Sequence, residues 1–171
     1  MILITAGTQL PFERLATLAL RCARALPEEG VVYQAGPGGE VLPDGQEPTG
    51  NLQVKSFIEP EQYQQALQKA RCVITHAGMG NLLHLLEREI PFLVLPRLMQ
   101  YGEHRNDHQV DTARAMHERF GIEYYLDSDR LLERLLSRPL LSDGRRHREN
   151  MLKRRRELAS QLQDILSALD R

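Results

Sequence analysis

Short runs of consecutive apolar residues alternate along this chain with segments in which apolar residues recur every three or four positions. The short runs are typical of strands buried on both faces of a parallel sheet, and the periodic segments are typical of amphipathic helices. The pattern predicts strands over residues 2–6, 31–35, 52–57, 72–75, 92–95 and 122–126. It predicts helices over residues 12–26, 61–70, 81–88, 107–119, 129–136 and 145–169.

This alternation of strands and helices favours βαβ units. The predicted fold class is therefore α/β, a Rossmann-like parallel sheet with helices on both faces. The carboxyl ends of parallel strands meet at one edge of the sheet, where ligands of such folds bind. Polar clusters follow four of the predicted strands, so we expect them to converge at that edge: Gly7 with Thr8, Phe57 with Ile58, residues 76–81, and residues 97–109.

Composition narrows the class of protein. The 171 residues are 42% hydrophobic, enough for one ordinary core, so we predict a single domain over residues 1–171. A net charge of -1 argues against binding nucleic acid or lipid through bulk charge. Residues 145–171 are locally basic, with eight Arg or Lys against four acids, and are predicted to form a basic C-terminal helix.

The cysteines and the lengths of the apolar runs bear on the cellular compartment of the protein. Cys22 and Cys72 lie in apolar segments without metal or redox spacing, so we expect no disulfide and a reducing compartment. No apolar run approaches the roughly 18 residues of a membrane span. We therefore expect a cytoplasmic protein whose contact with a membrane is peripheral.

The turn after the fourth predicted strand is the first candidate for ligand binding. It comprises His76, Ala77, Gly78, Met79, Gly80 and Asn81. A strand that turns into a helix here aims free N–H groups and the positive helix end at one point, which suits a phosphate. The two glycines would let the backbone approach a ligand, and Asn81 is a candidate N-cap. The alternative is a turn that only packs helix on strand.

Two common nucleotide motifs are missing from the sequence. A dinucleotide fingerprint needs a third glycine at position 83, which is Leu83. The P-loop pattern of GxxxxGK followed by Ser or Thr does not occur either. NAD is therefore disfavoured, and no cofactor is predicted.

The segment 97–109 is the second candidate for ligand binding. Its side chains offer the donors, acceptors and cations that sugar hydroxyls and a diphosphate require. The residues in question are Arg97, Glu103, His104, Asn106, Asp107, His108 and Gln109. The alternative is a solvated helix start, with Asp107 favouring the helix N-terminus. A metal site using His104 and His108, four apart on one helix face, would need His76 as a third ligand, and we predict no metal.

Two further segments leave alternatives open. The stretch 36–51 has five glycines and three prolines, so it is either a mobile loop that closes over a ligand or a surface insertion. The basic C-terminal helix has an incomplete apolar stripe. It either packs on its own sheet, or docks on a partner or near anionic lipid.

Four sequence blocks, in order, resemble the donor-binding C-terminal domain of glycosyltransferase family 28. The chain is most similar to short members that act as one subunit of a two-part enzyme. Among these are PssE-like capsule and exopolysaccharide transferase subunits and the small subunit of the dolichol-linked N-acetylglucosamine transferase. The blocks are residues 1–8 with 11–15, residues 74–80, residues 91–97 and residues 102–109.

The resemblance implies one half of a GT-B fold and a role for each candidate. Gly7, Thr8 and the turn 76–81 would face a diphosphate, Phe57 and Ile58 would face uracil, and His108 and Gln109 would face sugar hydroxyls. Many relatives have a ribose-binding glutamate where this chain has His84, and Glu87 lies almost one turn further on.

The resemblance also implies an inverting transfer of a sugar from a UDP-sugar to a lipid-linked acceptor. This chain would hold the donor, and a membrane-anchored partner subunit would supply the acceptor face, keeping the protein peripheral to the inner membrane. His76 and His104 are the candidate bases in this chain, although the base could belong to the partner. Two alternatives remain: a nucleotide-sugar-binding regulatory subunit, and a stand-alone UDP-sugar hydrolase or epimerase-like enzyme.

Overall fold

A computed structural model describes residues 1–7, 10–39, 42, 47–137, 149–150, 152–153 and 157. It contains five strands, five α-helices and one 3₁₀ turn up to residue 137, and residues 149–150, 152–153 and 157 are also helical. In chain order they are β1 (Ile2–Thr5), α1 (Glu13–Ala25), β2 (Val31–Gln34), β3 (Leu52–Lys55), α2 (Pro60–Lys69), β4 (Cys72–Thr75), α3 (Met79–Glu87), β5 (Phe92–Val94), the 3₁₀ turn (Met99–Tyr101), α4 (His108–Phe120) and α5 (Ser128–Ser137).

The strands form one parallel sheet in the order β3-β2-β1-β4-β5. Strands β1 and β4 are buried at every position, because both faces of the sheet are covered by helices. Helices α1 and α5 pack on the face that bears Ile2 and Ile4. Helices α2, α3 and α4 pack on the face that bears Leu3 and Val73. The predicted α/β sheet with helices on both faces is confirmed.

The chain order creates a crevice at the carboxyl edge of the sheet. From β1 the chain first builds outward through β2 and β3, and then crosses over to place β4 on the other side of β1. The connections after β1 and β4 therefore run in opposite directions, which leaves room between them. Gly7 and His76, which follow these two central strands, line the crevice.

Two predicted elements differ from the structure. The strand expected over residues 122–126 is wrong: a single parallel bridge joins Tyr124 to Val94, and the chain then enters α5. Asn81 is not the N-cap of α3, because the helix begins at Met79 and Gly78 holds the cap position. The Asn81 amide instead donates to Thr75 Oγ1 at 2.6 Å.

Several expectations fall on residues outside the described ranges. They concern Thr8, most of the C-terminal helix over 145–169, and the part of the 36–51 loop over 40–41 and 43–46. Among the helices described, none is long and apolar enough to cross a membrane.

Candidate functional site

A cavity of about 740 Å³ opens at the crevice between the connections that follow β1 and β4. Its walls come from the ends of β1, β2 and β4, from α2, from the start of α3, and from the segment after β5. Eleven of the residues proposed from sequence line it. They are Gly7, Phe57, Ile58, His76, Gly78, Met79, Gly80, Asn81, Arg97, His104 and Gln109. Residues from all four polar clusters therefore meet at the carboxyl edge of the sheet, as the sequence predicts.

The imidazole of His76 lies between the backbones of Gly7 and Gly78. A Cβ atom added to Gly7 would come within 2.7 Å of His76 Cε1, and one added to Gly78 would come closer still to Nε2. Gly7 also has a φ of +85°, a conformation that L side chains rarely adopt. Gly7 and Gly78 are thus required by the ring of His76, whereas the sequence suggested that Gly78 and Gly80 make room for a ligand. Gly80 differs, because a Cβ there would meet nothing within 4 Å.

Burial and a nearby cation keep His76 neutral. Desolvation lowers its pKa to about 4, the positive charge of Arg97 acts in the same direction, and an interaction with the Thr5 backbone offsets part of the effect. Its Nδ1 is buried and has no hydrogen-bond partner among the described residues. At neutral pH this ring is therefore an uncharged and weakly basic group.

The start of α3 provides donors for an anion. Its first N–H groups, on Met79, Gly80 and Asn81, have no intrahelical acceptors, and all three residues line the cavity. The N–H of Ala77, just before the helix, is already taken by Gln109 Oε1 at 3.2 Å. The helix dipole adds positive potential at the same place. An anionic group at this end of the cavity would accept hydrogen bonds from these N–H groups and would be attracted by the helix dipole.

A hydrogen-bond chain fixes Asn81 against the neighbouring elements. Its side-chain nitrogen donates to Thr75 Oγ1, and its Oδ1 accepts from the hydroxyl of Tyr63 at 3.2 Å. Burial raises the pKa of that hydroxyl to about 12, so it stays a donor. Asn81 therefore belongs to the cavity wall through its tertiary contacts.

Arg97 is a clamp on the segment that follows β1. Its guanidinium donates to the carbonyls of Ala6 and Leu10 at 3.0 and 2.6 Å, and to that of Pro11 at 2.6 Å. A further bond goes to the Glu103 carbonyl at 3.3 Å, and the group stacks over Phe12 at 4.6 Å. The side chain is 3% exposed. Its geometry positions the Gly7 turn, and direct contact with a phosphate stays a prediction.

Gln109 joins the two connections that form the upper part of the cavity. Its Oε1 accepts from the N–H groups of Ala77, at 3.2 Å, and of Arg97, at 3.0 Å. One side chain from α4 thereby ties the segment after β4 to the segment after β5. The amide nitrogen keeps its donor capacity.

Four of the proposed residues are not brought to the cavity. Glu103 is turned inward, where it pairs with Arg14 at 2.8 Å and accepts from the Leu98 N–H. Asp107 lines a separate surface cavity and accepts from the Met99 N–H at 2.9 Å. The other two, Asn106 and His108, do not line the cavity either.

The reason is that α4 begins only at His108, so residues 97–107 wind through a 3₁₀ turn and bends. His104 and His108 consequently do not share a helix face, as the metal alternative required. Among the residues that the structure describes, no group of three or more His, Cys, Asp or Glu side chains is placed to hold a metal ion.

His104 does line the cavity, in a defined tautomer. Its Nδ1 lies 3.2 Å from the carbonyl oxygen of Asn106 and 3.1 Å from its Oδ1. Because both neighbours are acceptors, the proton belongs on Nδ1. The lone pair on Nε2 is then available as an acceptor or base.

Sequence reasoning missed seven residues of the cavity wall, and these are Thr5, Ala6, Leu10, Gln34, Pro60, Tyr63 and Gln64. His84, which the sequence places where many relatives have a glutamate, also lines the cavity. Pro60, Tyr63 and Gln64 are spaced so that they share one face of α2, and this spacing in the sequence could have identified them. None of the described residues that line the cavity is Asp or Glu.

The fold and the position of this cavity define the class of protein. The chain has the architecture of one half of a GT-B glycosyltransferase, as comparison with solved structures shows. MurG of Acinetobacter baumannii aligns with a TM-score of 0.65 at 18% identity over 86% of this chain and 44% of that one. The calicheamicin glycosyltransferase CalG4 aligns with a TM-score of 0.60 at 17% identity over 98% and 43%.

A third structure, the glycosyltransferase SsfS6 of Streptomyces sp. SF2575 complexed with thymidine diphosphate, aligns with a TM-score of 0.55 at 21% identity over 89% and 37%. The chain therefore spans less than half the length of these proteins. Residues 1–167 match the model of the glycosyltransferase family 28 C-terminal domain, and the chain belongs to that family. A comparison with curated protein sequences gave no match.

Proposed function

We propose that this chain is the donor-binding part of a UDP-sugar-dependent glycosyltransferase that transfers a hexose to a lipid-linked acceptor in polysaccharide or glycolipid synthesis. The observation that carries the proposal is the cavity at the carboxyl edge of β1 and β4, where the free N–H groups of α3 begin. Family membership supports the transfer chemistry. The sugar, the acceptor and the exopolysaccharide or capsule context rest on the sequence resemblance.

The cavity divides into regions that suit successive parts of such a donor. The diphosphate would bind at the start of α3, where Met79, Gly80 and Asn81 offer N–H groups. Phe57, which is 52% exposed, and the buried Ile58 form an apolar wall for the uracil ring. The sugar would lie toward His104, in the segment after β5, and Gln109, in α4, which both line the cavity.

Departure of the diphosphate needs stabilisation of developing negative charge, and attack by the acceptor needs a base. The N–H groups of α3 can supply the first. For the second, His104 is the better candidate in this chain, because its Nε2 carries the lone pair and Asn106 orients the ring. His76 is the weaker candidate, because its pKa of about 4 makes it a poor proton acceptor.

A partner subunit completes the proposed enzyme. The chain spans 44% or less of the three glycosyltransferase structures described above, and the sequence resembles subunits of two-part enzymes. We expect an acceptor-binding half on a membrane-anchored partner, which would keep this chain at the inner membrane. The described cavity wall has no carboxylate, which favours a partner-dependent enzyme over a stand-alone hydrolase.

A pair of variants at Gly80 that match in shape and differ in charge tests the diphosphate assignment. A side chain fits there, since a Cβ would meet nothing within 4 Å. Gly80→Asp places a negative charge in the first turn of α3, where it stabilises the helix but repels a diphosphate. Gly80→Asn has nearly the same shape without the charge, and it is the control. Repulsion at about 5 Å predicts that the Asp variant binds UDP roughly 10- to 100-fold more weakly than the Asn variant.

Isothermal titration with UDP and with uridine distinguishes the outcomes. We expect the two variants to differ for UDP and to bind the uncharged uridine equally. Equal binding of UDP by both would refute the diphosphate site at α3. UDP binding that persists with no turnover in the presence of the partner would instead favour a regulatory subunit.

A further inference from the structure

A second cavity, of about 670 Å³, opens on the same edge of the sheet as the proposed donor cavity, and we call it the acidic groove. It lies between the 3₁₀ turn and the starts of α4 and α5. These elements follow β5 and the bridge at Tyr124, which is parallel to β5, so the groove lies at the carboxyl edge. Some residues of the segment 97–109 line the donor cavity and others line the groove. A molecule seated in the groove would therefore border the donor cavity.

The two openings differ in charge. The described wall of the donor cavity has no Asp or Glu and includes Arg97, whereas the groove has four aspartates and two arginines. They are Asp107, Asp111, Asp127 and Asp129, with Arg14 and Arg114. Both arginines already have partners, because Arg14 pairs with Glu103 at 2.8 Å and Arg114 lies 3.9 Å from Asp111. The groove is therefore negative, and it would repel a phosphate and attract a cation.

Two of the carboxylates have no counter-charge. Asp107 and Asp127 form no salt bridge with any residue that the structure describes. Each uses Oδ1 to accept a backbone N–H, of Met99 at 2.9 Å and of Asp129 at 2.7 Å respectively, which leaves Oδ2 for a cation. Their positions at the starts of α4 and α5 suit the helix dipoles. The dipoles do not account for the apolar side chains exposed beside them.

Exposed apolar side chains surround these carboxylates. Tyr101 is 61% exposed and Leu126 is 47% exposed, and both line the groove. Met99, 53% exposed, belongs to the same 3₁₀ turn as Tyr101. The guanidinium of Arg14 lies 5.2 Å from the centre of the Tyr101 ring and donates to the Leu126 carbonyl at 2.5 Å. The groove thus suits a segment that has both cationic and apolar side chains.

We propose that the acidic groove is the docking site for a Lys- and Arg-rich amphipathic segment of the membrane-anchored partner. The inference rests on the proposed function, which supplies that partner. Cytoplasmic loops of membrane proteins carry an excess of Lys and Arg next to their membrane spans, so such a partner offers the charge that the groove requires. A segment bound here would hold the partner at the carboxyl edge, beside the donor cavity and outside it.

The experiment measures binding of a short labelled peptide, built only of Arg and Leu as an amphipathic helix, by fluorescence anisotropy. The double variant Asp107→Asn with Asp127→Asn removes two charges but keeps the oxygens that accept the backbone N–H groups, and Asn caps a helix as well as Asp does. Losing two exposed ion pairs should weaken peptide binding about 5-fold.

The matched control is the double variant Glu118→Gln with Glu133→Gln. It makes the same change of charge on the same two helices, at exposed positions that do not line the groove. At about 0.15 M salt, where charges more than about 8 Å apart are largely screened, it should change peptide affinity by less than about 2-fold. Equal effects of the two double variants would show that the peptide responds only to net charge, which overturns the inference.

A second pair of variants tests the apolar contact. Tyr101→Ser should weaken peptide binding about 5-fold or more, because an aromatic ring loses the area that the peptide covers. Leu83→Ser is the control, since Leu83 is exposed on α3 and does not line the groove, and it should bind like the wild type. Melting temperature and circular dichroism check that each variant is folded. A folded Tyr101→Ser chain with wild-type affinity would contradict docking in the groove.

Two further measurements on the wild-type chain separate the remaining outcomes. Isothermal titration with UDP tests the function beneath the inference: failure to bind UDP would overturn both, whereas UDP binding with no difference between the double variants would overturn the inference alone. Sedimentation tests a second copy as the occupant, since residues 145–156 contain seven Arg or Lys. A dimer that the double Asn variant dissociates would place that copy in the groove and overturn docking of a partner segment.

Discussion

The neutral His76 predicts a specific dependence of folding stability on pH. Its pKa is about 4 in the folded chain, against an ordinary value of 6.5. As the pH falls through 6.5 the unfolded chain takes up a proton at this position, while the folded chain does so only near pH 4. The unfolded state binds more protons in this window, so stability is complete above pH 6.5 and decreases as the pH falls toward 4.

The size of the effect follows from the shift. The difference between the pKa values of 6.5 and about 4, at about 1.4 kcal/mol for each pH unit, amounts to roughly 3.5 kcal/mol of unfolding free energy. Such a loss is a substantial fraction of the 5–15 kcal/mol that stabilises an ordinary domain, on the order of what unfolds a marginal protein. The ring lies between Gly7 and Gly78, which limits how far it can move toward solvent on protonation.

Urea unfolding of the wild-type chain and of His76→Gln, from about pH 7.5 to about pH 4.5, measures this contribution. Glutamine is neutral throughout, so the variant should lose roughly 2–3 kcal/mol less than the wild type over the range. Other groups with lowered pKa values, such as His84 and Glu29, are common to both chains and cancel in the difference. Two curves that stay parallel from pH 7.5 to 4.5 would refute the account of a buried neutral imidazole.

Three further substitutions test contacts described above, each by urea unfolding. Gly78→Ala should destabilise the wild-type chain by about 2 kcal/mol because its Cβ meets the imidazole, but should cost little in a His76→Ala background; equal costs in both would contradict the contact. Arg97→Met should cost about 3 kcal/mol and weaken UDP binding, since four carbonyl contacts lose their donor, and near-native stability would count against the clamp. Asn51→Ala should cost about 1–2 kcal/mol, because the amide lies 2.9 Å from three carbonyls near the end of α1, yet leave UDP affinity unchanged; a loss of affinity would show coupling across the sheet.

Hydrophobic patterning was sufficient to predict the five strands of the sheet and the edge at which the polar segments after them meet. Runs such as Cys72–Thr75 are buried on both sides, so a continuous apolar sequence identifies the strand without tertiary information. Once the strands are parallel, the polar residues that follow them must share one edge. The family 28 likeness, now supported by a match over residues 1–167, added the chemistry.

The roles of individual side chains could not be predicted, because they depend on partners distant in sequence. Gln109 meets the N–H of Ala77 across 32 positions, and Arg97 meets the Ala6 carbonyl across 91. Glu103 looks like a ligand-binding acid in sequence, yet it is turned inward toward Arg14, 89 positions away. The strand expected over 122–126 failed for a related reason: local β propensity was present, but only Tyr124 aligned with β5.

The Arg97 clamp also bears on how the protein could be divided or rearranged. The carbonyls of Ala6, Leu10 and Pro11, in the segment after β1, depend on a guanidinium that the chain supplies 86 positions after Pro11. A fragment that ends before Arg97 would retain the residues of all five strands but lose these donors. In a split or circularly permuted version of the chain, UDP affinity would therefore report whether Arg97 has reached the carbonyls of the segment after β1.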